Sequence, residues 1–113
     1  MIRRANRFHG HHSVSKVRGD VLHGRFLSLR FAPNKKHDYR LAVVVSKKVA
    51  SKAVTRNRIR RRVFELVRSQ GRVTNTPIDA IFYAKTADIA SISAQDLADE
   101  VLSLTKKALS RLS

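Results

Sequence analysis

Arg56, Asn57, Arg58, Arg60, Arg61 and Arg62 fall within seven consecutive residues. Guanidinium groups at this density suit phosphate, because their planar fork of donors matches phosphate oxygens two at a time. Every basic residue from 56 to 68 is arginine and none is lysine, which favours specific phosphate or base contact over charge alone. Lys47, Lys48 and Lys52 precede the cluster and Arg68 follows it. Other chemistry is scarce. Two-metal hydrolysis needs clustered carboxylates, and the basic part of the chain offers only Asp20, Asp38 and Glu65, without paired spacing. Asp96, Asp99 and Glu100 share a helix face, but in the first two turns, where acids complement the helix dipole. No nucleophile–base pair stands out. With no cysteine, thiolate zinc sites, disulfide scaffolds and cysteine nucleophiles are excluded. His9-Gly10-His11-His12 has metal-binding residue types but no second ligand pair, and neutral histidine in a basic arm is the simpler account. No metal site is therefore assigned to the protein, and no catalytic residue. Binding of RNA or DNA is the expected chemistry.

A helix must aim these arginines. At about 100° per residue, residues 52–69 place Ile59, Val63, Leu66 and Val67 on one stripe. Asn57, Arg58, Arg61 and Arg68 fall opposite that stripe. Arg56 and Arg60 fall beside it, where the helix meets its neighbours. Long arginine stems can snorkel from such positions; the functional reading is a groove wall carrying guanidinium groups. A second helix spans 94–112, with Leu97, Val101, Leu104, Ala108 and Leu112 inward, and Ser93 with Asp96 forms a candidate capping box. Residues 12–20 are weakly helical. Leu27, Leu29 and Phe31 alternate with Phe26, Ser28 and Arg30, which predicts a half-buried strand over 25–31. The β-branched run 40–46 and the segment 78–84 predict two further strands. Turn chemistry marks loops at 32–38 and 70–77. The order helix, strand, strand, helix, strand, helix implies a small α/β sandwich with helices packed on a mostly antiparallel sheet.

The chain has 113 residues and a formal charge of +16, which bounds it to one domain, residues 1–113. The charge is uneven: residues 1–72 carry +17 and residues 73–113 carry −1. This asymmetry is expected of a protein with one nucleic-acid face, against the alternative of a uniformly solvated basic surface. At 42% hydrophobic residues, the chain is not a disordered basic tail. No apolar run approaches the roughly 18 residues of a membrane-spanning helix. The basic N-terminus lacks an apolar signal region, so the expected compartment is the cytoplasm.

The segment Val45-Ser46-Lys47-Lys48-Val49, followed by Lys52-Ala53-Val54 and Arg56-Asn57-Arg58-Ile59-Arg60-Arg61-Arg62, resembles the signature of the protein subunit of bacterial ribonuclease P. Weaker features flank it. These are the basic N-terminus, the strand at 25–31, Asp79 with Ala84-Lys85 on a later strand, and a terminal amphipathic helix after Ile92-Ser93. The resemblance covers roughly residues 7–112.

The resemblance implies an α+β sandwich similar to a domain of ribosomal protein S5, with a left-handed βαβ crossover. It implies two partners, a catalytic RNA subunit and precursor tRNA, and a holoenzyme that removes the 5′ leader from the precursor. The RNA and its Mg²⁺ ions would carry the reaction, and the protein alone would be inactive. No membrane association and no obligate protein partner is implied. Lys47, Lys48, Lys52, Asn57, Arg58, Arg61, Arg62 and Arg68 are then candidates for contact with RNA. Arg56 and Arg60 belong to a leader cleft whose wall would include Val14, Leu27, Leu29 and Phe31. Family members usually carry aromatic residues where this chain has Val14 and Leu29. Weaker or less selective leader binding is expected, with Phe26, Phe31 or Phe8 as substitutes. The alternatives are a ribosomal-protein-like structural RNA-binding protein and a nucleoid or DNA-binding module.

Overall fold

A computed structural model describes residues 19–34 and 38–112. The elements are β1 (Asp20–His23), β2 (Leu27–Pro33), β3 (Arg40–Val44), α1 (Ala53–Gln70), β4 (Ile78–Ala84) and α2 (Ala94–Leu112), with short 3₁₀ turns at Val73–Asn75 and Ala87–Ala90. The strands form one sheet in the order β1-β2-β4-β3. β1 and β4 each flank β2 antiparallel, and β3 pairs β4 in parallel. A parallel pair requires a crossover, and α1 supplies it.

The two helices lie side by side on one face of the sheet. α1 rests against β3, α2 rests against β1 and β2, and the helices touch each other. Leu22, Leu29, Phe82 and Val43 form one cross-strand row beneath them, and Phe31, Ala80 and Leu41 form the next. Ile59, Val63 and Val67 from α1 close this core, with Leu97, Val101, Leu104 and Ala108 from α2. Nonpolar area removed from water in this layer is the main stabilising term.

Element ends have local causes. Gly71 ends α1 at φ 73°, a conformation that disfavours any side chain with a Cβ, and its N–H donates to the Val67 carbonyl. At the start of α2, the Ser93 hydroxyl accepts from the Asp96 N–H at 3.0 Å, one half of the expected capping box.

β4 and α2 coincide with the expected 78–84 and 94–112. The strand expected at 25–31 begins two residues later and runs to Pro33. Its start is set by Glu100 of α2, whose carboxylate accepts from the backbone N–H groups of Arg25, Phe26 and Leu27 at 2.7, 2.7 and 2.6 Å. Donors so engaged cannot enter the sheet ladder. The strand expected at 40–46 ends at Val44. β1 has no counterpart in the sequence pattern, because four residues are too few to show a period. The weak helix expected over 12–20 does not reach its last residues: Gly19 is irregular and Asp20 starts β1. Its earlier residues lie outside the described part.

Candidate nucleic-acid interface

α1 presents three surfaces. The inward stripe is Ile59, Val63 and Val67. One flank faces α2: Arg62 donates to the Ile89 and Ile92 carbonyls at 2.5 and 2.8 Å, and Gln70 donates to the Ala98 carbonyl at 3.0 Å. The other flank carries Arg56 and Arg60, and looks outward past the edge strand β3. The face opposite the core exposes Val54, Asn57, Arg58, Arg61, Glu65 and Arg68.

Each arginine has a different local environment. Arg56 donates through one nitrogen to the Ala50 and Ser51 carbonyls at 3.0 and 2.8 Å, which fixes the stem and ties the helix to the turn before it. Arg60 donates to the Asn57 side-chain oxygen across one turn. Arg68 pairs with Glu65 at 2.9 Å. That hydrogen bond, more than simple proximity of charge, holds the Glu65 carboxyl below the usual carboxylate range and raises Arg68. Arg58 and Arg61 stand exposed beside Asn57 and Val54, around an open depression of about 440 Å³. Lys47, Lys48 and Lys52 are exposed on the turn leading into α1. No acid lies in the first turn of α1 and no side chain caps it, so its unpaired N–H groups add to the same positive field.

Two sequence expectations are corrected. Arg62 does not belong to the exposed basic face: its guanidinium is spent on two carbonyls of the segment joining β4 to α2. Leu27, Leu29 and Phe31 do not line a cleft, because they are 0%, 0% and 2% exposed beneath the helices. Strand alternation revealed two faces of β2 but not which one the helices cover. Phe31 is excluded as a substitute aromatic for the same reason. Phe26 is half-buried against the core, with the Arg25 guanidinium 5.0 Å from its ring centre. Val14 and Phe8 lie outside the described residues, as does the His9–His12 run.

The sheet face turned away from α1 and α2 carries what the expected wall lacks. His23, Ser28, Tyr83 and Val44 form one cross-strand row there, and Val21, Arg30, Ile81 and Ala42 the next. The Arg30 guanidinium sits 6.0 Å from the centre of the half-buried Tyr83 ring. Further along the same face, Asp79 accepts from Arg40 at 2.9 and 2.7 Å and from Asn34 at 3.0 Å. The bond to Asp79 raises the Arg40 pKa further, partly opposed by burial. Arg30 and Tyr83, both half-buried, escaped sequence reasoning; the polar parity of β2 combined with the Asp79, Ile81 and Tyr83 parity of β4 is the signal that would have found them.

His23 Nδ1 lies 3.0 Å from the Ser28 hydroxyl, the distance of a nucleophile–base pair that the sequence did not suggest. Ser28 is 8% exposed. The two residues are direct cross-strand partners, so the sheet register alone accounts for their contact. Among the described residues, no carboxylate orients the imidazole and no group of three potential metal ligands occurs. Asp96, Asp99 and Glu100 do not act together: Glu100 holds the β1–β2 turn, and Asp99 accepts from Gln95 at 2.7 Å.

The domain is a two-layer α+β fold with arginines on the outer face and one flank of its crossover helix, a surface whose charge suits a polyanion. The Ribonuclease P family model matches residues 2–109, and the chain belongs to that family. It is 32% identical over 109 residues to the ribonuclease P protein component of Chloroflexus aurantiacus (strain J-10-fl), covering 95% of this chain and 80% of that one. The corresponding protein of Chloroflexus aggregans is 29% identical over the same coverage. Among solved structures, the fold is similar to the Staphylococcus aureus RNase P protein, with TM-score 0.76, 23% identity and coverage of 93% and 96%. It is also similar to the RNase P protein from Thermotoga maritima, with TM-score 0.69, 26% identity and coverage of 79% and 83%. Membership of this family implies a subunit of a tRNA-processing endonuclease that works with an RNA subunit. Among the described residues, no helix is long and apolar enough to cross a membrane.

Proposed function

We propose that the protein binds two RNAs at once in the ribonuclease P holoenzyme. The exposed face of α1, through Asn57, Arg58, Arg61 and Arg68 with Lys47, Lys48 and Lys52, docks on the RNA subunit. The flank with Arg56 and Arg60, continued around the β3 edge by Arg30 and Tyr83, receives the single-stranded 5′ leader of precursor tRNA. Tyr83 is the aromatic on which a leader base stacks, in place of the aromatics missing from the expected wall. Mg²⁺ held by the RNA subunit carries the cleavage, and the protein contributes binding and alignment.

The observation that carries this reading is the division of the α1 arginines. Arg58 and Arg61 point away from the core, while Arg56 is pinned by Ala50 and Ser51 on the outward flank. A helix serving one flat polyanion would need only the first set. The test is cleavage of a precursor tRNA by the RNA subunit at limiting Mg²⁺, with and without the protein. Stimulation is expected, larger for precursor with a leader of several nucleotides than for one with a single nucleotide. No stimulation overturns the proposal and leaves a structural RNA-binding protein as the reading.

A further inference from the structure

Val54 is 79% exposed, and among the described residues it is the one large apolar side chain left so open. It projects from the first turn of α1, the turn least supported by the core. Asn57, Arg58 and Arg61 stand around it at helical spacings of three, four and seven, and together they border the open depression of about 440 Å³. A face meant solely for phosphates gains nothing from an isopropyl group at its centre. Phosphate oxygens would have to shed water against it without a hydrogen bond in return.

We propose, on the footing that α1 docks on the RNA subunit, that this depression seats an unpaired nucleobase of that RNA. The base lies flat on Val54, the Arg58 and Arg61 guanidinium groups hold the phosphates beside it, and the Asn57 amide meets a base edge. Charge complementarity selects this occupant. A second copy of a +16 chain would bring arginine against arginine, and an apolar peptide would leave Arg58 and Arg61 unneutralised. A nucleotide supplies both the apolar disc and the negative charge. The site would discriminate RNA shape, since a base locked inside a continuous duplex cannot reach it.

The test is binding of the RNA subunit to wild-type protein, Val54→Ala and Arg61→Ala across a range of salt. Val54→Ala replaces an exposed helix residue by a better helix former, so the fold is retained. It is expected to weaken binding about 5- to 10-fold at every salt concentration, with the slope of log affinity against log salt unchanged, because an apolar contact releases no counterions. Arg61→Ala is expected to lower that slope by about one contact. A benzophenone amino acid in place of Val54 is expected to crosslink to one unpaired nucleotide of the RNA subunit. Equal binding by wild type and Val54→Ala, or crosslinks to a second copy of the protein, overturns the base site while leaving docking by α1 intact. If wild-type protein binds the RNA subunit no better than an unrelated RNA of equal length, the docking reading fails and the base site falls with it.

Discussion

Adjacent arginines on one helix do unlike work. Arg61 is exposed and Arg62 reaches two carbonyls that lie 27 and 30 residues further along the chain. Arg62→Ala is expected to leave those half-buried carbonyls short of a donor and to cost roughly 1–3 kcal/mol in denaturant unfolding. Its salt dependence of RNA binding should match wild type, whereas that of Arg61→Ala should not. Helical period was enough to place Arg58, Arg61 and Arg68 outside and Arg56 and Arg60 on a flank. It could not show that Arg62 finds partners, because those carbonyls belong to a turn brought near by the whole fold. Glu100 teaches the same lesson. In sequence it is an acid near a helix start; in the fold it gathers three N–H groups of the β1–β2 turn. Glu100→Ala would orphan all three, with an expected loss of about 2–3 kcal/mol, read as a lower unfolding midpoint. Gly24 belongs to the same arrangement, since a Cβ there would lie 2.8 Å from the Glu100 carboxyl carbon.

At the scale of elements, α1 and α2 were legible because each is long enough to show its period, and β4 because it is a mostly apolar run of seven residues after a turn. β1 was not, being four residues long. β2 was legible as a strand and misread as a wall. Alternation separates Leu27, Leu29 and Phe31 from Ser28 and Arg30, but the side that helices cover depends on the path of α1 from β3 to β4. α1 also carries a brake on its own charge. Glu65, its one acid, occupies Arg68 on the exposed face. Glu65→Gln is expected to free Arg68 and to raise RNA affinity about 2- to 5-fold at low salt, with a steeper salt slope. The pH sign follows from the lowered Glu65 pKa. The pair is complete at neutral pH and is lost as pH falls through that lowered value, so the gain from Glu65→Gln shrinks in acid. Both side chains are about half exposed, and the substitution should leave stability nearly unchanged.

Across the whole molecule, the charge of +16 is concentrated in residues 1–72, and the near-neutral remainder contributes β4 and α2. β4 nonetheless serves both sides of the sheet. Ala80 and Phe82 go to the core, and Ile81 and Tyr83 to the opposite face. The proposed docking face and the proposed leader groove thus share a scaffold but no side chain. Substitutions that act through separate contacts should add in free energy, and coupling would appear as a deviation. Arg61→Ala is expected to weaken the RNA subunit and to leave the preference for precursor over mature tRNA unchanged. Tyr83→Leu keeps an apolar group in the sheet and removes the ring. It is expected to cut that preference about 5- to 10-fold, the value of one base stack, without moving the affinity for the RNA subunit. The double variant should show both losses at full size. If Tyr83→Leu weakens the RNA subunit as strongly as Arg61→Ala does, the two faces are one site, and the division of arginines along α1 has no counterpart in function.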